Sequence, residues 1–184
     1  MTAFTLVTGN RNKLRETERL LGRRLEHEPL DLPEIQSLDL LAVLRAKGEE
    51  AWRRLRRPVV VEETGLELAA MGGFPGPLVK WMLAAMGPVG IARTAHALGD
   101  PRAAARCALI YLDGEVALTG QGETRGELVR EPRGEDGFGW GPVFVPEGRR
   151  ETYAELGAEI KDRIGHRGLA WRDLERALRG AGVG

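Results

Sequence analysis

The chain has 184 residues, enough for a sizeable core and too few for two ordinary domains, so residues 1–184 are expected to form a single domain. Its 27 basic and 27 acidic side chains cancel, which excludes binding nucleic acid or anionic lipid through a general field; any polyanion must be held locally. One cysteine excludes an internal disulfide, no apolar run reaches the ~20 residues of a membrane span, and residues 1–7 lack the make-up of a signal peptide, so a cytoplasmic location is expected.

Residues 4–7 read as a short buried strand. It runs into Thr8-Gly9-Asn10, after which Leu14, Leu20 and Leu21 among charged residues predict an amphipathic helix. Strand, tight turn and helix in this order offer an anion free backbone amides and the positive end of a helix dipole, with Arg11, Asn12 and Lys13 in the first turn. The spacing and Lys-Ser/Thr pair of a Walker loop are missing, and a plain asparagine cap accounts for the same residues without a ligand. Residues 25–30 predict a second strand, broken at Leu32-Pro33-Glu34. A helix over 39–55 follows, with Leu40, Leu41, Leu44 and Ala51 near helical spacing. Val59-Val60-Val61 is a strand covered on both faces, predicted to end on Glu62-Glu63-Thr64-Gly65. Glu34, Glu62 and Glu63 thus fall at predicted strand ends, and carboxylates there are the hard ligands that Mg²⁺ shares with phosphates. Residues alternate faces along a strand, so Glu62 and Glu63 are expected to serve different purposes.

Residues 72–77 form a loop by their glycines and prolines, and helices are predicted over 78–86 and 89–98. Two long strands, 103–112 and 116–129, turn at Asp113-Gly114, with Cys107 read as a buried small hydrophobe in the first. The glycine-rich loop 134–141 carries Phe138, Gly139, Trp140 and Gly141; two aromatics without apolar periodicity suit clamping a flat purine, or anchoring a core. A strand over 143–145 and a helix over 166–178 complete the chain. His166-Arg167, just after Lys161, cluster donors suited to base carbonyls or phosphates, whereas His27 and His96 read as structural or solvated. Alternating strands and helices followed by a long hairpin predict an α/β fold: a mixed β-sheet with packed helices and a ligand cleft where the loops carrying Asn10, Glu63 and Trp140 converge.

One compositional detail stands out. The chain has 23 arginines and four lysines, Lys13, Lys47, Lys80 and Lys161. Lysine supplies a compact, rotatable ammonium where arginine supplies a flat fork, so a site needing a point charge on a phosphate oxygen resists the exchange. Each lysine is therefore a candidate ligand.

Thr8-Gly9-Asn10 with Lys13 and Glu16, Asp31-Leu32-Pro33-Glu34, Val61-Glu62-Glu63-Thr64-Gly65-Leu66, Gly73-Phe74-Pro75-Gly76-Pro77 with Lys80-Trp81, Phe138-Gly139-Trp140, Thr152-Tyr153-Ala154-Glu155, and Lys161 with His166-Arg167 run in order along the chain. Together they resemble the inosine triphosphate pyrophosphatase (Ham1-like) family. The resemblance implies a two-lobed Maf/Ham1-type architecture with the active site in the cleft, and hydrolysis of ITP, dITP and XTP to the monophosphate and pyrophosphate in nucleotide-pool sanitisation. It also implies Mg²⁺ as cofactor and a homodimer. By the same resemblance the turn from Thr8 to Lys13, with Lys47, Lys80 and Lys161, holds phosphate or sugar. Phe138, Gly139, Trp140, Gly141, His166 and Arg167 take the base, Thr64 adjoins the substrate, Glu34 and Glu63 hold the metal, and Glu63 orients or deprotonates water. The family has an aspartate where Glu63 stands; the extra methylene displaces the carboxylate by about 1 Å, a shift that can cost on the order of a hundredfold in rate. The family's Phe-Gly-aromatic-Asp ends here in Gly141, and its Ser-His-Arg reads Gly165-His166-Arg167. These departures keep two alternatives open: a weakened nucleotide-binding homologue, or a pyrophosphatase with shifted base preference.

Overall fold

The computed structural model describes residues 3–135 and 138–183; Asp136 and Gly137 of the expected glycine-rich loop lie outside the described residues. Strand β1 (Thr5–Val7) pairs in parallel with β2 (His27–Glu28) on one side and with β3 (Val59–Leu68) on the other. β3 pairs antiparallel with β4 (Pro75–Gly76) and β5 (Arg102–Leu112). β5 turns back into β6 (Ala117–Leu128), which pairs antiparallel with β7 (Phe144–Pro146). The result is the expected mixed seven-stranded sheet, in the order β2-β1-β3-β5-β6-β7 with β4 branching from β3.

Two sequence expectations need correction. The second strand shrinks from six residues to His27–Glu28, because Pro29 has no amide hydrogen to continue the ladder with β1, which itself ends at Val7. β3 does not end at Glu62–Gly65. It continues to Leu68, since β5 stays hydrogen-bonded to it residue by residue from Val59 to Leu68. The two glutamates therefore stand in mid-strand, at the point where parallel pairing with β1 stops at Val61.

The helices cover the sheet from both faces. α1 (Arg11–Leu21) starts on the Asn10 cap, and α2 (Leu40–Leu55) starts on Asp39, whose carboxylate accepts from the amides of Leu41 and Ala42. The buried stripe of α2 packs through Leu44 and Ala51 on Val59, Val61 and Ile110. α3 (Val79–Ala97) is two helical pieces, as expected, broken where Gly87 leaves the helical region at φ 66° just before Pro88. α4 (Gly157–Ile164), which no sequence signal marked, leads directly into α5 (His166–Gly180). α5 lies against β6 so closely that a side chain at Gly120 or Gly122 would run into its backbone. This contact fixes the first turn of α5, carrying His166 and Arg167, against the sheet.

Candidate active site

The C-terminal end of β1, the middle of β3, α2, the start of α3, the 138–141 loop and the α4–α5 junction enclose one cavity of about 860 Å³. Every residue expected from the sequence to bind substrate or metal lines it: Thr8 to Lys13, Glu34, Lys47, Glu63, Thr64, Lys80, Phe138 to Gly141, Lys161, His166 and Arg167. All four lysines of the chain converge there. A random scatter of surface lysines would not do so.

The turn after β1 differs in detail from the expected anion grip. The Asn10 side-chain oxygen accepts from the amides of Asn12 (2.9 Å) and Lys13 (3.2 Å), and Thr8 Oγ1 accepts from the Asn10 amide. Those amides are satisfied internally. What the turn offers an anion is the amides of Gly9 and Arg11, the helix dipole and the Lys13 ammonium.

The paired glutamates point to different partners, as strand alternation requires. Glu62 is buried and accepts from Arg167 Nε and Nη2, both at 2.8 Å, and from Thr64 Oγ1 at 3.0 Å, with Lys13 Nζ at 3.3 Å. Burial alone would raise its pKa, but Arg167 and Lys13 outweigh burial and hold it below the usual carboxylate range. The remaining Arg167 nitrogen, Nη1, donates to buried Glu16, whose other oxygen is 2.9 Å from Lys161 Nζ. All three guanidinium nitrogens are thus occupied by carboxylates. Arg167, which also lines the cavity, thereby braces α1, β3 and α5 in the free protein.

Glu63 is turned toward α2. Its Oε2 accepts from Lys47 Nζ at 2.7 Å, and the same ammonium donates to Glu34 Oε1 at 3.0 Å; Lys80 Nζ lies 3.5 Å from the other Glu34 oxygen, at the cavity rim. Burial pulls the Lys47 pKa down, but Glu63 and Glu34 outweigh it and hold the ammonium charged. Glu34, despite partial burial, is kept below its ordinary pKa by Lys47 and Lys80. Two hard oxygens converging on one cation form a donor set suited to Mg²⁺. Among the described residues no third His, Cys, Asp or Glu completes a cage, so most of a metal's coordination sphere would fall to phosphate and water.

The other end of the cavity is aromatic. Trp140 is only 7% exposed, edge-on to Phe144 at 5.4 Å and 5.3 Å from the His166 ring, so it is a core-anchored wall and not half of an open clamp. Phe138 lies nearer the charges, with Lys161 Nζ 4.9 Å from its ring centre. Leu83, Val79 and Tyr153 complete this wall. His166 is buried, with Nδ1 3.5 Å from the Tyr153 hydroxyl. Burial first, then Arg167 and Lys161, push its pKa well below the ordinary value, so it is a neutral ring.

A stability prediction follows from His166. Because its folded pKa is depressed, the unfolded chain binds this proton at higher pH than the folded one. The stability is fully present above about pH 6.5 and is lost as pH falls toward the folded value. The melting temperature is expected to drop between about pH 6.5 and 5, and His166→Phe to flatten that drop; equal slopes in the two proteins would refute the assignment.

The two glycines where the family carries polar residues differ sterically. A Cβ at Gly141 would meet only the Tyr153 Cβ, at 3.7 Å, whereas one at Gly165 would meet the Lys161 carbonyl oxygen at 2.5 Å. Gly141 therefore leaves room for a side chain, and Gly165 belongs to a tight α4–α5 junction that excludes one.

Fold and site together define an α/β protein with one cavity whose lysines and carboxylates suit a polyanion and whose aromatic end suits a flat group. The chain belongs to the Ham1 family, whose model matches residues 4–177. It is 43% identical over 170 residues to inosine triphosphate pyrophosphatase 2 of Trypanosoma cruzi, covering 90% of this chain and 87% of that protein. It is 40% identical over 172 residues to a dITP/XTP pyrophosphatase of Pyrobaculum aerophilum, covering 92% of each. Among solved structures, a HAM1 protein from Coxiella burnetii superposes with a TM-score of 0.81 at 26% identity, covering 98% of this chain and 100% of that one.

Proposed function

We propose that the chain is a nucleoside triphosphate pyrophosphatase that hydrolyses ITP, dITP and XTP to the monophosphate and pyrophosphate, clearing non-canonical purines from the nucleotide pool. The observation that carries this reading is the convergence of all four lysines of an arginine-rich chain on one cavity that also holds Glu34, Glu62 and Glu63. Arg11, Lys13, Lys47, Lys80, Lys161 and Arg167 line the cavity with Asp31, Glu34, Glu62 and Glu63, six cations against four carboxylates. This small positive excess attracts a tetra-anion but offsets only part of its charge, so a counter-ion is still needed. Relatives named for ITP and dITP/XTP hydrolysis, matched over about nine-tenths of their length, support the same reading and the assignment of residues 1–184 to one domain.

In this mechanism Lys13, Lys47, Lys80 and Lys161 take the phosphate oxygens, and Phe138 and Trp140 bound the base. Glu63 accepts the proton of the water that attacks the α-phosphorus, and pyrophosphate leaves in line. Glu62, bound by Arg167, is not available as the base. Mg²⁺, held by Glu34 and Glu63 with the phosphates, would neutralise charge on the triphosphate. A homodimer and a cytoplasmic location belong to the same proposal; among the described residues no helix is long and apolar enough to cross a membrane.

Incubation of ITP with the protein and Mg²⁺ tests the reading: equimolar IMP and pyrophosphate are expected, and orthophosphate as the direct product would overturn it. Base choice gives a second test. Donors near the base favour a 6-keto purine, since an adenine amine would face another donor at a cost of roughly 1–3 kcal/mol. With Gly141 empty of a side chain, guanine is excluded less well than in relatives that carry aspartate there. Gly141→Asp fits the available space and is expected to raise the ratio of kcat/KM for ITP over GTP; equal ratios in both proteins would count against this.

A further inference from the structure

The place between Glu34 and Glu63 already holds a cation, and it is the protein's own. Lys47 projects from the buried stripe of α2, its side chain only 12% exposed, and donates to one oxygen of each carboxylate, at 3.0 and 2.7 Å. A divalent ion sharing those two oxygens would have to stand where this ammonium stands. The other lysines do not compete for that position: Lys13 and Lys161 pair with Glu62 and Glu16, and Lys80 reaches the outer oxygen of Glu34 with its side chain 66% exposed.

We propose that Lys47 is a built-in counter-ion that closes the Glu34–Glu63 metal site in the free protein, and that a triphosphate opens it by drawing the ammonium onto its own oxygens. The inference rests on the triphosphate reading of the cavity. A single ammonium on a flexible four-carbon stem exchanges one oxygen partner for another without moving the backbone, whereas a planar guanidinium bound to both carboxylates would not. This gives a physical reason for lysine at position 47 in a chain that uses arginine nearly everywhere else. It also holds Glu34 and Glu63 oriented toward one point before substrate arrives, since one ammonium touches both carboxylates. Metal then enters with the nucleotide and not ahead of it.

The test is Mn²⁺ binding to nucleotide-free protein, followed by the electron paramagnetic resonance signal of free Mn²⁺. Removing a positive charge that touches both ligands is expected to tighten Mn²⁺ binding by about tenfold or more in Lys47→Met relative to wild type. Lys47→Arg, which keeps the charge, should remain as weak as wild type, and Lys47→Met combined with Glu63→Gln should lose the gain. Equal Mn²⁺ affinity in wild type and Lys47→Met would overturn the proposal, as would tight binding that survives Glu63→Gln. Should Lys47→Met not fold, judged by its circular dichroism melt, Lys47→Gln carries the same expectations. No nucleotide is present, so failure here leaves pyrophosphate release from ITP untouched as a separate test of the catalytic reading.

Discussion

Replacing Glu63 by alanine is expected to abolish pyrophosphate release, lowering kcat by about a thousandfold or more, a far larger effect than the accompanying rise in KM for ITP. The expectation rests on the division of labour between neighbouring glutamates. Glu62 is bound by Arg167, Thr64 and Lys13, which hold it as an ion-pair partner. Glu63 accepts from Lys47 and, weakly, from the Thr64 amide at 3.3 Å, and it faces the cavity. If Lys47 moves to phosphate, Glu63 is the carboxylate set free. Glu63→Asp isolates the effect of reach: it keeps the charge but withdraws it by about 1 Å, and a loss within roughly a hundredfold is expected. Single-turnover rates with saturating ITP and Mg²⁺ separate these cases. Unchanged kcat with a raised KM in Glu63→Ala would show that Glu63 only binds, and the catalytic role would pass elsewhere.

Much of this site was legible in the sequence because its signals are local. The Asn10 cap, the four lysines and the acidic pair are each defined by a few adjacent residues, and the cavity gathers all of them. Periodicity held a further, unused signal for Lys47, since it falls on the stripe of α2 that contains Leu44, Gly48 and Ala51. What escaped notice depends on contacts between distant segments. The length of β3 was misjudged because Glu62-Glu63 look like an exposed strand end; only the pairing with β5 and the cations from α1, α2 and α5 make two mid-strand carboxylates tolerable. Glu16 was noted only as a motif position, although its spacing held a clue: Lys13, Glu16, Thr17 and Leu20 share one helical face, and Glu16 and Thr17 on that face are buried. A carboxylate on a buried stripe needs a partner, but nothing local says that the partner is Arg167, 151 residues away. Trp140 shows the same limit, since a ring in a glycine-rich loop carries no periodicity to reveal that Phe144, Tyr153 and His166 enclose it.

The ion pairs of Arg167 carry the largest expected effect on stability. Arg167 is 3% exposed and joins two buried carboxylates from α1 and β3 to the first turn of α5. Its own pKa is lowered by burial but raised further by Glu62 and Glu16, so the guanidinium stays charged in the fold. Arg167→Met keeps much of the apolar stem and removes the charge, leaving Glu16 and Glu62 buried with only Lys161 and Lys13 to neutralise them. Breaking such an arrangement from one side costs about 3–5 kcal/mol, which for a chain of this size lowers the melting temperature by roughly 10 °C. Adding Glu16→Gln and Glu62→Gln to Arg167→Met removes the uncompensated charges as well, and part of the loss should return. A residue that contacts only the base would behave differently: Arg167→Met would then change KM and the ITP to GTP ratio with the melting temperature unmoved. Thermal melts of the single and triple variants, beside their kcat/KM for ITP and GTP, therefore decide between a strut beneath the site and a ligand within it.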